Sequence, residues 1–170
     1  MHTFDMEALQ AAVDERRRAQ GLTWEELTAE INEPFKGTTS IPISASTIKT
    51  MSKKSSVTSA VVLQVLRWLD RSPESFLSGR PGQLDVSEKL PNAGASRILR
   101  FDTRAMYSAL DDERQRRNLT WKQLVTQLPG FTQNMIANLA EGPLIGFPRV
   151  MTITQWLRCP AAVFVRVRGR

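Results

Sequence analysis

Three carboxylates stand side by side at Asp111, Asp112 and Glu113, and the chain has a single cysteine, Cys159, and a single histidine, His2. Acid–base or nucleophilic chemistry needs such groups to converge on one reacting atom. Consecutive residues of a helix point in different directions, so the three carboxylates do not form a working pair. One histidine and one cysteine give neither a metal cluster nor a catalytic couple, and no glycine-rich phosphate loop is present. Cys159 precedes Pro160 beside the last apolar segment, where burial is expected rather than reactivity, and it allows no disulfide within the chain. These residues predict a protein that is not an enzyme and that holds no cofactor and no metal.

The chemistry that remains is cationic. The net charge is +6, and its distribution is uneven. Residues 1–79 carry nine Lys or Arg against ten Asp or Glu, residues 80–97 three against two, and residues 98–170 eleven against five. Within the first part, the segment between Glu33 and Asp70 has no acid and contains Lys36, Lys49, Lys53, Lys54 and Arg67. Such surfaces attract phosphate backbones, but a solvated face or an anionic-lipid contact has the same composition. No run approaches the eighteen apolar residues of a membrane span, and MHTFDMEALQ has neither a basic nor an apolar signal region. The expectation is a cytoplasmic protein with no membrane partner.

The elements that position these charges occur twice. FDMEALQAAVDERRRAQGLTWEELTAEI, residues 4–31, aligns without a gap on FDTRAMYSALDDERQRRNLTWKQLVTQL, residues 101–128. Phe4 meets Phe101, Val13 meets Leu110, Arg17 meets Arg114 and Trp24 meets Trp121. The copies then differ by about nine residues, within or near NEPFKGTTSIP at 32–42, a loop or broken short element by composition. They rejoin where Ile48 pairs with Ile136, Met51 with Leu139, and VLRWL at 65–69 with ITQWL at 153–157. This repetition sets the expected domains at 1–79 and 98–170, with 80–97 as a linker in which LDVSEKL has the pattern of a short helix.

Spacing predicts the helices. Met6, Leu9, Ala12 and Val13 recur at helical intervals over 6–18, and Gly21 or Asn118 tolerates the left-handed backbone beyond a helix end. Thr23 with Glu26, and Thr120 with Gln123, have the capping-box spacing that opens a second helix. Third helices are predicted at 44–51 and 132–139, with Ser44 and Thr132 as caps, and fourth ones at 58–69 and 149–157. A short final element follows in SPESF, with Ser72 as its cap and Pro73 at its first position. The arginines of 16–18 and 114–117 are expected to be engaged locally, since Asp14–Arg17 and Asp111–Arg114 match as i,i+3 ion pairs. VRVRGR at 165–170 reads as a basic tail on DNA or as a frayed end.

A helix, a tight connection and a second short helix with polar outward residues resemble the helix-turn-helix of the lambda-repressor-like, or Xre, family. LTWKQLVTQLPGFTQNMIANLAEG at 119–142 carries the resemblance in the second copy, and LTWEELTAEI with ISASTIKTMSKKS at 43–55 carries it in the first. The resemblance implies an all-α fold: two small lambda-repressor-like domains of four to five helices each, joined by a linker, in a prokaryotic or phage-like regulator. The chain departs from the family in two places. The first copy has its insertion where the family keeps a short turn, and Trp24 and Trp121 stand where members often carry a phosphate-contacting Gln.

On that resemblance, the exposed side of each third helix faces base edges. In the second copy those residues are Gln133, Asn134, Ala137 and Asn138; Gln and Asn pair with adenine, and Ala meets a thymine methyl. In the first copy they are Ala45, Ser46, Lys49 and Thr50. Lys49, Lys53, Lys54, Lys122 and Arg149 are the candidate phosphate contacts. Lys122 sits in the first turn of a helix, where a cation opposes the dipole, while its counterpart is Glu25. The expected function is sequence-specific binding of double-stranded DNA in transcription regulation, by a monomer with two unlike heads or by a homodimer whose first unit forms the interface. The alternative is a protein-interaction or antitoxin-like adaptor, with a protein partner on the 32–42 insertion and the tryptophans.

Overall fold

Each apolar period becomes a helix in the computed structural model, which describes residues 2–53, 58–78, 89–91, 94–142 and 145–168. The first half contains α1 (Met6–Ala19), α2 (Trp24–Asn32), α3 (Ala45–Lys49) and α4 (Ser59–Leu69). The second contains α5 (Thr103–Arg116), α6 (Trp121–Thr126), α7 (Gln133–Glu141) and α8 (Phe147–Leu157). Short 3-10 turns lie at Glu33–Phe35, Met51–Lys53, Pro73–Phe76 and Ala161–Phe164. Two strands complete the described residues, β1 (Ile98–Phe101) and β2 (Val165–Arg168), paired antiparallel with Ile98 opposite Arg168 and Phe101 opposite Val165. The fold is therefore mostly helical with a small sheet, which corrects the all-α expectation. VRVR, read as a tail or frayed end, is β2: its alternation of β-branched residues with arginines suits a strand that has a partner.

Local signals repeat at matching places. Asp5 and Asp102 both cap their helices, accepting from the Ala8 and Ala105 amides at 2.9 Å. Thr23–Glu26 and Thr120–Gln123 both form complete capping boxes. Gly21 and Asn118 both have positive φ, 67° and 54°, where α1 and α5 end. Arg17 and Arg114 each clasp the preceding aspartate, Asp14 or Asp111, and donate to the carbonyl of Leu22 or Leu119. Even the sheet has a counterpart, because Phe4 makes an isolated antiparallel bridge with Leu77 as Phe101 does with Val165.

Two local expectations are corrected. Ser72 precedes the 73–76 turn but makes no side-chain cap, and its buried hydroxyl has no hydrogen-bond partner among the described residues. The last helix begins at Phe147 rather than 149, with Pro148 in the first turn, where its missing amide costs nothing.

The insertion is closed rather than loose. Asn32 accepts from the Ile43 amide and donates to the Ile43 carbonyl, both at 2.9 Å, so a single side chain seals the ends of the excursion. Ser40 within it accepts from Arg100 on β1 at 3.1 Å, and the Pro34 carbonyl accepts from the Arg97 amide at 3.1 Å. Of the linker, residues 80–88 and 92–93, including most of LDVSEKL, lie outside the described residues. Its described end is tied back to α4, where Arg67 donates to the Gly94 and Arg97 carbonyls at 2.6 and 2.7 Å.

Buried residues from both halves form one continuous cluster. Phe147 lies at the join, with its ring 4.6 Å from Phe4 and 5.9 Å from Phe101. Polar bonds cross there too. Gln64 donates to the Leu99 carbonyl at 2.9 Å, and Gln155 donates to the His2 carbonyl at 2.7 Å while accepting from the His2 amide at 2.8 Å. No described helix is long and apolar enough to cross a membrane.

Candidate nucleic-acid interface

The polar face of α7 is built by a cap and a buried stripe. Thr132 accepts from the Met135 amide at 3.2 Å and fixes the helix start. Ile136 and Leu139 are buried against α5 and α6. The helical period then turns Gln133, Asn134, Ala137 and Asn138 outward, and all four are exposed. Gln133, Asn134, Ile136 and Ala137 also line a surface cavity of about 270 Å³ with Tyr107 and Trp121. Tyr107 stacks on Trp121, with ring centroids 5.3 Å apart.

The matching face of the first half is smaller. Ser44 caps α3 by accepting from the Thr47 amide at 3.2 Å, but the helix runs only over Ala45–Lys49 before the 3-10 turn Met51–Lys53. Ser46 and Lys49 are exposed, whereas Ala45 and Thr50 are half-buried and the Thr50 hydroxyl donates to the Ser46 carbonyl at 2.6 Å. Gln10 stands where the second half has Tyr107; it accepts from the Ser52 amide at 3.4 Å and links α1 to the turn after α3. Tyr107 was not singled out among the sequence candidates, although the alignment sets it opposite Gln10 as a change of residue type at one repeat position.

The cations separate into two groups. Arg17, Arg18, Arg114, Arg116 and Arg117 all pair with carboxylates on their own helices. Arg16 and Arg117 also lie over the Trp68 and Trp156 rings at 4.7 and 4.2 Å. Lys49, Lys53, Lys122 and Arg149 are exposed, and none makes an ion pair with a described residue. Lys54 lies outside the described residues.

Trp24 and Trp121 are half-buried, each with a guanidinium over its ring, Arg17 at 4.7 Å and Arg114 at 4.6 Å. Their faces are occupied by packing. Their indole N–H groups find no acceptor among the described residues, whereas that of Trp156 donates to Gln127 at 2.9 Å.

Electrostatics sharpen the contrast between local pairing and free charge. Hydrogen bonds from Arg116 and then Arg117 bring the Glu113 carboxyl down to about 2. The Arg114 hydrogen bond lowers Asp111. Asp111 and Glu113 are thus fixed as anions by arginines and are not poised to exchange protons. Burial, followed by the charge of Glu74, raises the Cys159 thiol and disfavours its nucleophilic form. No group of three His, Cys, Asp or Glu among the described residues is arranged to hold a metal ion. A larger cavity of about 420 Å³, between α2, α4 and residues 89–91, includes Gln64, Arg67 and Asp70 but none of the predicted contact residues.

Comparison of the chain with protein-family models, with curated proteins and with solved structures finds no match.

Proposed function

We propose that the chain binds double-stranded DNA sequence-specifically and acts in transcription regulation, through two helix-turn-helix units at 1–79 and 98–170. The observation that carries this reading is the exposed row of Gln133, Asn134, Ala137 and Asn138 on a capped helix whose opposite face is buried. Amide side chains in such a row offer the paired donor and acceptor that adenine presents in the major groove, and Ala137 suits a thymine methyl. In the first half, Ser46 and Lys49 are the exposed readers, while Ala45 and Thr50 contribute at the edge. Lys49, Lys53, Lys122 and Arg149 hold phosphates, with Lys54 as a further contact. The second half supplies the larger share of base discrimination and of electrostatic affinity.

Five phosphate contacts make binding fall about 500-fold between 50 and 200 mM salt, because each neutralised phosphate releases counterions. The test is titration of the intact chain with duplex DNA across that range. Charge reversal by Lys122→Glu with Arg149→Glu weakens binding by a larger factor than Lys53→Ala with Lys54→Ala; the opposite ranking overturns the division of roles.

Ile41, on the insertion, is 89% exposed and favours a second reading, a protein-interaction or antitoxin-like adaptor. Under that reading Ile41→Ser abolishes capture of the protein partner, and duplex DNA is not bound even at low salt.

A further inference from the structure

The geometry points to a single chain that engages an inverted pair of unlike DNA half-sites whose centres lie one helical turn apart; this rests on the DNA-binding reading above. Two similar units in one chain can be related by a shift, which presents both heads in the same direction, or by a twofold rotation, which presents them in opposite directions. In a twofold contact, an element meets its own counterpart and every unlike contact occurs twice.

The join between the halves has both marks. Thr58 and Gly146 occupy the same cap position, before α4 and α8, and these two residues pair with each other in an antiparallel bridge. The 73–76 turn meets its counterpart at 161–164, where the Ala161 amide donates to Glu74 at 2.8 Å. The unlike contact is reciprocated as well. Leu99 and His2 are matching residues ahead of α5 and α1, and each carbonyl accepts from a glutamine on the other half's fourth helix, Gln64 or Gln155. The two donors differ by about one helical turn in the repeat register, so the symmetry is approximate, but the direction of contact is the same. A shift would set the start of α4 against a different element of the second half.

The same bridge limits how far apart the heads can be. The turn after α3 ends at Lys53, five residues before Thr58, and α7 ends at Glu141, five before Gly146. An extended chain covers at most about 18 Å in each of those stretches, and a bridged pair is about 5 Å across. The ends of the two reading elements therefore lie within about 40 Å of each other, enough for half-sites one turn apart at about 34 Å but not for two turns. Their exposed residues differ, so the half-sites differ.

The experiment is selection from randomised duplex DNA with the intact chain, followed by measurement of the mass of the complex on the enriched sequence. The expected result is two unlike half-sites in inverted orientation, centred about 10 base pairs apart, with one chain per duplex. Inserting five base pairs between them turns one half-site to the opposite face and lowers affinity by about 100-fold. A direct repeat, a lone half-site or two chains on one palindrome overturns the inference while leaving DNA binding in place. Failure to retain any duplex at low salt overturns the DNA-binding reading itself, and the inference with it.

Discussion

Asp5 and Asp102 cap the same helix in the two halves, and Arg17 and Arg114 clasp the same neighbours, yet the outward faces of α3 and α7 share no residue at their four matched reading positions. The caps and clasps that close the helix ends are duplicated, because each half needs them to exist. Residues that touch only solvent in the free chain have diverged. The arginine–tryptophan contacts lie between these extremes. Trp68 and Trp156 match in the repeat, but Arg16 and Arg117, which cover them, come from different turns of α1 and α5. A requirement for a cation over that ring has been met twice by different routes.

The largest test of this comparison is at the join. Phe147→Ala empties the space between Phe4 and Phe101 and costs about 3–5 kcal/mol, whereas Ser59→Ala, at the matching position, costs less than about 1 kcal/mol. Denaturant titration of both variants measures the difference. It also asks whether the halves unfold together, and two separated transitions in the unsubstituted chain would break the picture of a shared core.

A smaller effect tests equivalence at the helix ends. Gly21 has open space around its α-carbon, so Gly21→Ala is opposed by its positive φ alone and loses about 1–2 kcal/mol. Asn118→Gly, at the matching bend, moves stability by less than about 1 kcal/mol and in the stabilising direction. Equal losses from Gly21→Ala and Asn118→Gly would mean that the two bends are not the same structure.

The smallest effect is seen in acid. Glu113 titrates at about 2 in the folded chain against an ordinary 4.5, so its arginine pairs stabilise the fold above 4.5 and that contribution is lost as pH falls toward 2. Thermal melts of Glu113→Gln therefore show a shallower loss of stability across this window than the unsubstituted chain. Arg16 occupies the matching place in the first half, where there is no carboxylate, so Arg16→Gln leaves the acid slope unchanged.

What was legible in the sequence was what the chain does over a few residues. Thr23–Glu26 and Thr120–Gln123 are capping boxes because two side chains three residues apart meet two free amides, and that geometry is local. The Asp–Arg pairs, the bends at Gly21 and Asn118 and the outward row on α7 were readable for the same reason. β1 and β2 were not, because four residues at 98–101 find their partner only at 165–168, and nothing local distinguishes such a stretch from a linker end or a tail. Ser72 had the right type for a cap but lies in a buried corner where its hydroxyl finds no partner among the described residues. The cavity beside Gln133 also depends on distant residues, with Tyr107 on α5 and Trp121 on α6 brought together by packing.

Phe147 has a consequence for how such a chain can evolve. Phe4 and Phe101 are counterparts, and on the twofold relation inferred above a ring beside both stands close to its axis. Two identical subunits would have to bring two phenylalanines to that line, because any residue in one is copied in the other. Joining the halves in one polypeptide removes this rule, so a phenylalanine at 147 stands opposite a serine at its repeat counterpart, Ser59, and both are buried. A symmetric pair of either half would have to place two copies of the same residue there, two phenylalanines or two serines, so the unlike pair is open only to halves that share one chain.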